Sequence, residues 1–344
     1  MKATQKGQLD MLKPSILEVS RLAGVSPATV SRVTNQAALV KESTRNKVLK
    51  TMQELGYQPN SAAQSLSSKR SNTLGMIVSQ LDGPFYGPVM SGVEETLRKH
   101  NKHVIIASGF GEESLEREAV DFLMARQVDG LILLTEGLGS GYLNELAKQI
   151  PLYLINQHVD GLENRNMWLD NVDGAYWATR HLIDQGHKDI VCIGGQTYKQ
   201  DANERLSGYQ KAMSEAGLEV TDQHIVRTNF EVEGGIEGMQ QLEDSGIRYT
   251  AVLAGNDEAA FGVYKWAARH NRVIPKDFSV IGFDDVLMSS YVTPKLTTMN
   301  FPKFDMAQAA ANMAYQEIYN KKAPEGVKFK TRLVVRDSVT KPQP

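Results

Sequence analysis

The chain has 344 residues, room for two or three folded units, and its 41% hydrophobic and 23% charged content is that of a globular protein with a sizeable core. Its net charge of −2 conceals an asymmetry: residues 1–70 hold 11 Lys/Arg against 4 Asp/Glu, and the remainder 27 against 36. No run of 18 apolar residues exists, which excludes a membrane-spanning helix, and Met1 to Asp10 lack the apolar core of a signal peptide, so a cytoplasmic location is expected.

Residues 1–14 read as a disordered extension, with Met11 as an alternative start. Ser15, with Glu18 three residues on, forms a capping box that starts a helix. Val19, Leu22 and Ala23 give that helix one apolar face, and Gly24 stops it. Ser26 then caps a second helix over residues 27–35, with Pro27 at the first position, where a missing N–H costs nothing. Val30 and Val33 let both helices share one small core. Two short helices meeting at a glycine turn make a helix-turn-helix, whose second helix lies in the DNA major groove. A helical hairpin inside any small bundle is the alternative. Pro27, Ala28, Thr29 and Arg32 are short or basic and point outward, as a reader of base edges requires. A third helix over 41–56 carries Val48, Met52 and Leu55 as its core stripe and ends at Gly56. Residues 60–71 form a linker in which Asn60 or Ser61 caps a single turn, too short and polar to be a stable helix alone. A basic end carrying these helices fits phosphate attraction confined to one module.

From residue 73 strand-like apolar runs (74–79, 103–108, 130–134, 152–156, 190–194, 251–254 and 279–283) alternate with amphipathic helices (88–100, 115–126, 174–185, 204–215, 236–244 and 258–270). That alternation predicts parallel sheets with helices on both faces, and the runs before and after about residue 161 suggest two similar lobes. Ligands in such folds bind beyond the carboxyl ends of strands. Those ends here carry Asp82, Phe85 and Tyr86, then Asp170, Asn256 and Asp284, aromatics to stack on a sugar face and polar groups for its hydroxyls. Asp257 and Asp285 read as helix caps, and Cys192, within an apolar run, as a buried strand residue without a disulfide partner. A phosphate-binding loop at Gly109-Phe-Gly111 fails because Ser114 replaces its third glycine and Glu112 and Glu113 repel phosphate. With no nucleophile elbow, Cys-x-x-Cys or His-Glu-x-x-His motif, neither an enzyme, a metal site nor a cofactor is expected.

The segments running from Val19 to Val33, Leu55-Gly-Tyr-Gln-Pro-Asn60, Arg180-His-Leu-Ile-Asp-Gln-Gly-His187, Arg205-Leu-Ser-Gly-Tyr209, Gly255-Asn-Asp257, Val280-Ile-Gly-Phe-Asp-Asp285 and Leu296-Thr-Thr298 together resemble the lactose/galactose-repressor family of bacterial transcription regulators. The likeness spans Ser15 to Thr340, and 280–298 with Glu163-Asn-Arg165 looks most like the galactose-repressor branch. The resemblance implies an N-terminal all-α helix-turn-helix domain (15–59), a hinge helix (60–71), and an α/β periplasmic-binding-protein-like effector domain (72–340) of two doubly wound lobes. One lobe would take about 72–161 and 292–322, the other 162–290 and 324–340, with crossings near 161, 291 and 323. It implies DNA contacts from Ser15, Ser26, Pro27, Ala28, Thr29, Ser31, Arg32, Asn35, Tyr57, Asn60 and Ala63. It also implies that Leu66 wedges into the minor groove once 60–68 folds on DNA. Arg205, Phe230 and Phe301 join the effector set, Phe230 as an aromatic platform. The implied protein is a homodimeric repressor on a pseudo-palindromic double-stranded operator, controlled by a small sugar or glycoside inducer. A corepressor-dependent regulator and a sugar-transport protein are the alternatives. With no leucine heptad after Ser338, a dimer is expected rather than a tetramer.

Overall fold

A computed structural model describes residues 14–34, 40–58 and 70–343. It divides into one unit of Met1–Ser71 and another of Asn72–Pro344. Asn35, Asn60, Ala63 and Leu66, the hinge segment 60–69 and the extension 1–13 lie outside the described residues.

The small unit holds α1 (Ile16–Ala23), α2 (Pro27–Thr34) and α3 (Glu42–Leu55). Ser15 accepts the Glu18 amide at 3.3 Å, and Gly24 closes α1 in the left-handed conformation (φ 62°) that glycine adopts without penalty. Ser26 accepts the Thr29 amide at 3.1 Å and so starts α2. Val19, Ala23, Val30, Val33 and Val48 form the core, with Met52, Leu55 and Tyr57 packed against it. Leu22, expected on the apolar face, is instead half exposed, because Val19 and Ala23 already fill the contact with α3.

In the large unit β1 (Thr73–Val78), β2 (His103–Ser108), β3 (Leu131–Leu134), β4 (Leu152–Ile155), β5 (Asn166–Leu169) and β11 (Val327–Phe329) form a sheet in the order β11-β5-β4-β3-β1-β2. The second sheet takes β6 (Ile190–Gly194), β7 (Ile225–Arg227), β8 (Ala251–Ala254), β9 (Ser279–Asp284), β10 (Thr297–Asn300) and β12 (Arg332–Val334), in the order β12-β10-β9-β8-β6-β7. Every pairing is parallel except that of β10 with β12. Helices α4 (Tyr86–Lys99), α5 (Glu113–Ala125), α6 (Ser140–Ala147) and α11 (Lys303–Asn320) flank the first sheet. Helices α7 (Asn171–Asp184), α8 (Gln200–Glu215), α9 (Val232–Ser245) and α10 (Asp257–Arg269) flank the second. Cys192 is buried in β6, its thiol pushed up to about 12 by loss of water.

The crossings between lobes fall later than the expected 161, 291 and 323. Asn166 pairs with Leu154, Thr297 with Ile281 and Val327 with Met167, so the chain changes lobe after Leu169, after Asn300 and between Phe329 and Arg332. The crossing segments extend the sheets with strands of three or four residues, too short to show a period. Helix α11 also escapes sequence reading, since its buried stripe is largely alanine: Ala307, Ala310, Ala311 and Ala314.

Close approach of α7 and α8 depends on Gly208, where an added Cβ would lie 2.2 Å from the Val172 carbonyl oxygen. Gly208→Val should force these helices apart and lower stability by about 1–3 kcal/mol or more, read as a reduced urea midpoint.

Candidate functional site

The carboxyl ends of both sheets face one cleft, which has two connected chambers. The inner one, of about 230 Å³, is walled by Ser79, Phe85, Arg205, Phe230, Asn256 and Asp284, among others. The outer one, of about 600 Å³, lies over the loops that follow β3 and β4.

At the inner floor Asp284 ends β9 with φ 113°, a conformation non-glycine residues rarely hold. Lys303, the first residue of α11, holds it there by donating its Nζ to the Asp284 carbonyl at 2.6 Å. The Asp284 side chain is 6% exposed and faces Arg205 Nη2 at 3.3 Å. That contact lacks hydrogen-bond alignment, so the buried Oδ1 has no hydrogen-bond partner. Arg205, in contrast, is well provided for: Nη1 donates to the Gly255 carbonyl at 2.7 Å and Nε to Asn171 Oδ1 at 3.2 Å. Its guanidinium also lies 3.9 Å from the Phe283 ring centroid.

Of the other expected effector residues, Phe85, Tyr86, Phe230 and Asn256 line the cleft. Asn256 also caps α10, accepting the Ala259 amide at 2.8 Å while donating to the Phe230 carbonyl at 2.8 Å. Asp82, Asp170 and Phe301 do not reach the wall. Asp82 sits on an exposed turn after β1. Asp170 caps α7 through the Asp173 amide at 3.0 Å and pairs with Lys328 at 2.8 Å. Phe301 is buried behind Phe85, ring edge to face at 5.1 Å. Asp257 is a clamp as well as the first residue of α10: it accepts from the Val286 amide, Ser289 and Thr298, and burial raises it to about 7. Asp285 pairs with Arg336 at 2.6 Å and caps no helix.

On the small unit, Ser26, Pro27, Ala28 and Arg32 are exposed on or beside α2, and Thr29 and Ser31 are half-buried. Ser15 is exposed at the start of α1, and Tyr57 leans on the core. Among the described residues no helix is long and apolar enough to cross a membrane, and no group of three metal-ligating side chains occurs.

Residues 15–60 match the "Bacterial regulatory proteins, lacI family" domain and 179–339 a "Periplasmic binding protein-like domain". The chain is 37% identical over 330 residues to the HTH-type transcriptional regulator GalR of Escherichia coli (strain K12), covering 95% of this chain and 96% of that one. The chain belongs to the lacI family of bacterial regulatory proteins. It is also 35% identical over 303 residues to the ribose operon repressor of Haemophilus influenzae, covering 88% of this chain and 91% of that one. Among solved structures it is similar to the lac repressor dimer bound to operator and the anti-inducer ONPF (TM-score 0.86, 26% identity, 96% of this chain and all of that one).

Several residues of this lacI-family cleft escaped the sequence reading. Glu136 after β3 meets Lys199 before α8 at 2.8 Å, an ion pair that joins the two lobes. Glu231 and Glu258 line the inner chamber, and Glu258 is raised to about 7 by burial and by the nearby charges of Asp284, Glu231 and Asp82. Glu136, Lys199 and Glu231 lie in loops, which carry no periodic signal, so only the fold gathers them with Glu258 at the start of α10. Burial likewise raises Asp284 to about 6, against the pull of Arg205 and Lys303. An acid raised in the native state binds its proton more tightly folded than unfolded. Its contribution to stability therefore falls as pH rises from 3.8 through about 6. Asp284→Asn should remove that decline, so denaturant midpoints of the variant and the parent converge at the acid end of this window and separate toward its upper end. Parallel curves would show that the carboxyl is not desolvated.

Proposed function

We propose that this protein is a sequence-specific transcriptional repressor, a homodimer on a pseudo-palindromic operator, whose DNA affinity is lowered by a neutral small sugar or glycoside. One observation carries the sugar reading: a buried carboxylate with an unbonded oxygen stands beside a buried arginine and two aromatic rings, Phe85 and Phe230, at the floor of an interlobe cleft. Sugar hydroxyls both donate to such a carboxylate and accept from such an arginine, and the rings cover the apolar face of a pyranose. The similar ribose operon repressor and operator-bound lac repressor support the same assignment.

Asp284 caps no helix, since the short turn after it begins at Val286. That favours a ligand role over a structural one. In the DNA-binding module, Arg32 is the leading donor to bases or phosphates, Pro27 and Ala28 read by fit, and Ser15, Ser26, Thr29, Ser31 and Tyr57 set the module on the backbone. Leu66, with Asn35, Asn60 and Ala63, completes the DNA contacts in this proposal. The site of action is the cytoplasm, no reaction is assigned to the cleft, and the DNA-binding module argues against a transport protein. Two copies are needed because one such module buries too little surface for tight, specific binding. Release of operator on sugar binding is the proposed direction, as opposed to corepression.

Selection of operator sequences from random DNA, followed by gel-shift titration against a sugar panel, tests this reading. Arg32→Ala should weaken operator binding by about 1–3 kcal/mol with little change in folding. Undiminished affinity would sink the recognition-helix assignment. Asp284→Asn should bind operator normally, yet need roughly 10- to 150-fold more sugar for release, the loss of a charge-assisted contact of about 1.5–3 kcal/mol. Sugars that tighten operator binding would establish corepression instead.

A further inference from the structure

We infer that the effector domain carries a DNA-contacting surface of its own: a lysine cluster, at the end of the first lobe where the tether to the helix-turn-helix enters, that binds backbone phosphates. This rests on the DNA-binding reading above and adds a second protein surface to it.

The tether enters at Asn72, and the chain is fastened there from several sides. The Asn72 amide donates to Asp129 Oδ2 at 2.8 Å, and the Asn72 carbonyl accepts the His103 amide at 3.1 Å. Lys102 Nζ donates to the Asn72 side chain and stands 4.1 Å from the centre of the Tyr319 ring. The Tyr319 hydroxyl donates to the same Asp129 oxygen at 2.7 Å. These bonds set the entry point against the last turn of α11, two residues before Lys321 and Lys322 begin. The His100 ring stacks on Tyr315 of α11, centroids 3.7 Å apart, which brings Lys99 at the end of α4 to the same end of the lobe. Lys99, Lys321 and Lys322 are exposed, and among the described residues no carboxylate lies within ion-pair distance of them.

Helix ends alone do not account for this cluster. Cations are favoured at helix C-termini because the helix dipole leaves partial negative charge there. That effect would act equally in the second lobe, which repeats the architecture and so serves as an internal control. In the first lobe the helix-to-strand connections (100–102, 126–130, 148–151 and 321–326) carry Lys102, Arg126, Lys148, Lys321 and Lys322. Only Asp129 and Glu325 oppose them there, and Asp129 is taken by Asn72 and Tyr319. In the second lobe the matching connections (185–189, 216–224, 246–250 and 270–278) carry Lys188, Arg248, Arg272 and Lys276. Asp189, Glu219, Asp222 and Asp277 balance these one for one. The excess of cations therefore belongs to the lobe that bears the tether. It stands out from a stretch, residues 71–344, in which 27 Lys/Arg face 36 Asp/Glu.

Chain continuity names the partner. The segment that enters here comes from the DNA-binding module, so bound DNA is held at high effective concentration near these lysines. Lysine is a mobile point charge, suited to phosphate and blind to base sequence. The surface therefore adds affinity for any duplex and leaves discrimination between sequences to the recognition helix.

Fluorescence-anisotropy titrations of the full chain across a range of salt concentrations test this, using the selected operator and an unrelated duplex of equal length. Each phosphate contact contributes about 0.9 to the slope of log K against log salt. Lys99→Gln, Lys321→Gln and Lys322→Gln together should make that slope shallower by about 0.9 or more per protomer. Both duplexes should bind about tenfold or more weakly near physiological salt, with the ratio of their affinities unchanged. All three side chains are exposed, so the urea midpoint should stay at the parent's. Arginine at the same three positions should keep the parent's slope, a rescue that depends on charge alone. Lys188→Gln, Arg248→Gln and Lys276→Gln together remove equal charge from the second lobe and should leave slope and affinity as they were. An unchanged slope in the first triple variant would overturn the inference, as would an equal loss in both triples, which would make total charge the cause. If the parent binds neither duplex, the DNA-binding reading itself falls, and this inference with it.

Discussion

Two opposite charges removed from water, Asp284 and Arg205, set the terms for the whole effector domain. Desolvation costs each ion several kcal/mol, and a buried pair returns that only with good geometry and saturated hydrogen bonding. Here the saturation is one-sided. Arg205 has a carbonyl, an amide oxygen, two carboxylates and an aromatic face around it. Asp284 Oδ1 meets Arg205 Nη2 at 3.3 Å as an ion pair but makes no aligned hydrogen bond. Under the proposed sugar reading, a ligand hydroxyl would supply the hydrogen bond that this oxygen lacks. The surrounding structure bears the strain: Lys303 grips the Asp284 carbonyl, and Asp257 ties down the loop beyond it through Val286 and Ser289.

The same residues connect the lobes. Asn171 donates to Asn156 Oδ1, at the end of the first lobe's β4, and to Glu204, while its own oxygen accepts from Arg205. Lys303 begins a helix of the first lobe yet holds a carbonyl of the second. A ligand that draws on Asp284 and Arg205 therefore draws on two crossing points between lobes. It shifts the balance of lobe arrangements only by as much as it binds one better than the other. That is why the orphaned oxygen matters more than the number of contacts: a group satisfied in both arrangements contributes nothing to the difference.

The sequence marks these features unequally. Caps and stops are local, so Ser15, Gly24, Ser26 and Gly56 were legible from spacing alone. Long apolar runs such as β6 and β8 likewise announce themselves. Asp284 and Asn256 were placed at the cleft because strand ends in this class of fold face it, whereas Arg205, inside α8, came only from the family resemblance. That same rule misplaced Asp82 and Asp170, since a strand end gives position but not direction, and Asp170 turns away to cap a helix and meet Lys328. Glu136, Lys199 and Glu116 were invisible because their partners are distant in sequence, and nothing in a loop's composition says what it will face. The late crossings have the same origin: β5, β10 and β11 exist only because a neighbouring strand is there to pair with them.

Charge also decides what the cleft refuses. Among the described residues Glu112, Glu136, Asp201, Glu231, Glu258 and Asp284 line it against the cations of Lys199 and Arg205, both of which already face carboxylates. A phosphorylated sugar would have to draw Arg205 from Asp284 or Lys199 from Glu136. The first exchange leaves the buried Asp284 carboxylate without its cation, and breaking a buried pair typically costs about 3–5 kcal/mol. It would also bring the phosphate close to that carboxylate. A neutral polyol meets no such obstacle: its hydroxyls donate to the carboxylates and leave both ion pairs intact. Under the proposed sugar reading, selectivity for an uncharged ligand would follow from cations whose charge the protein has already matched.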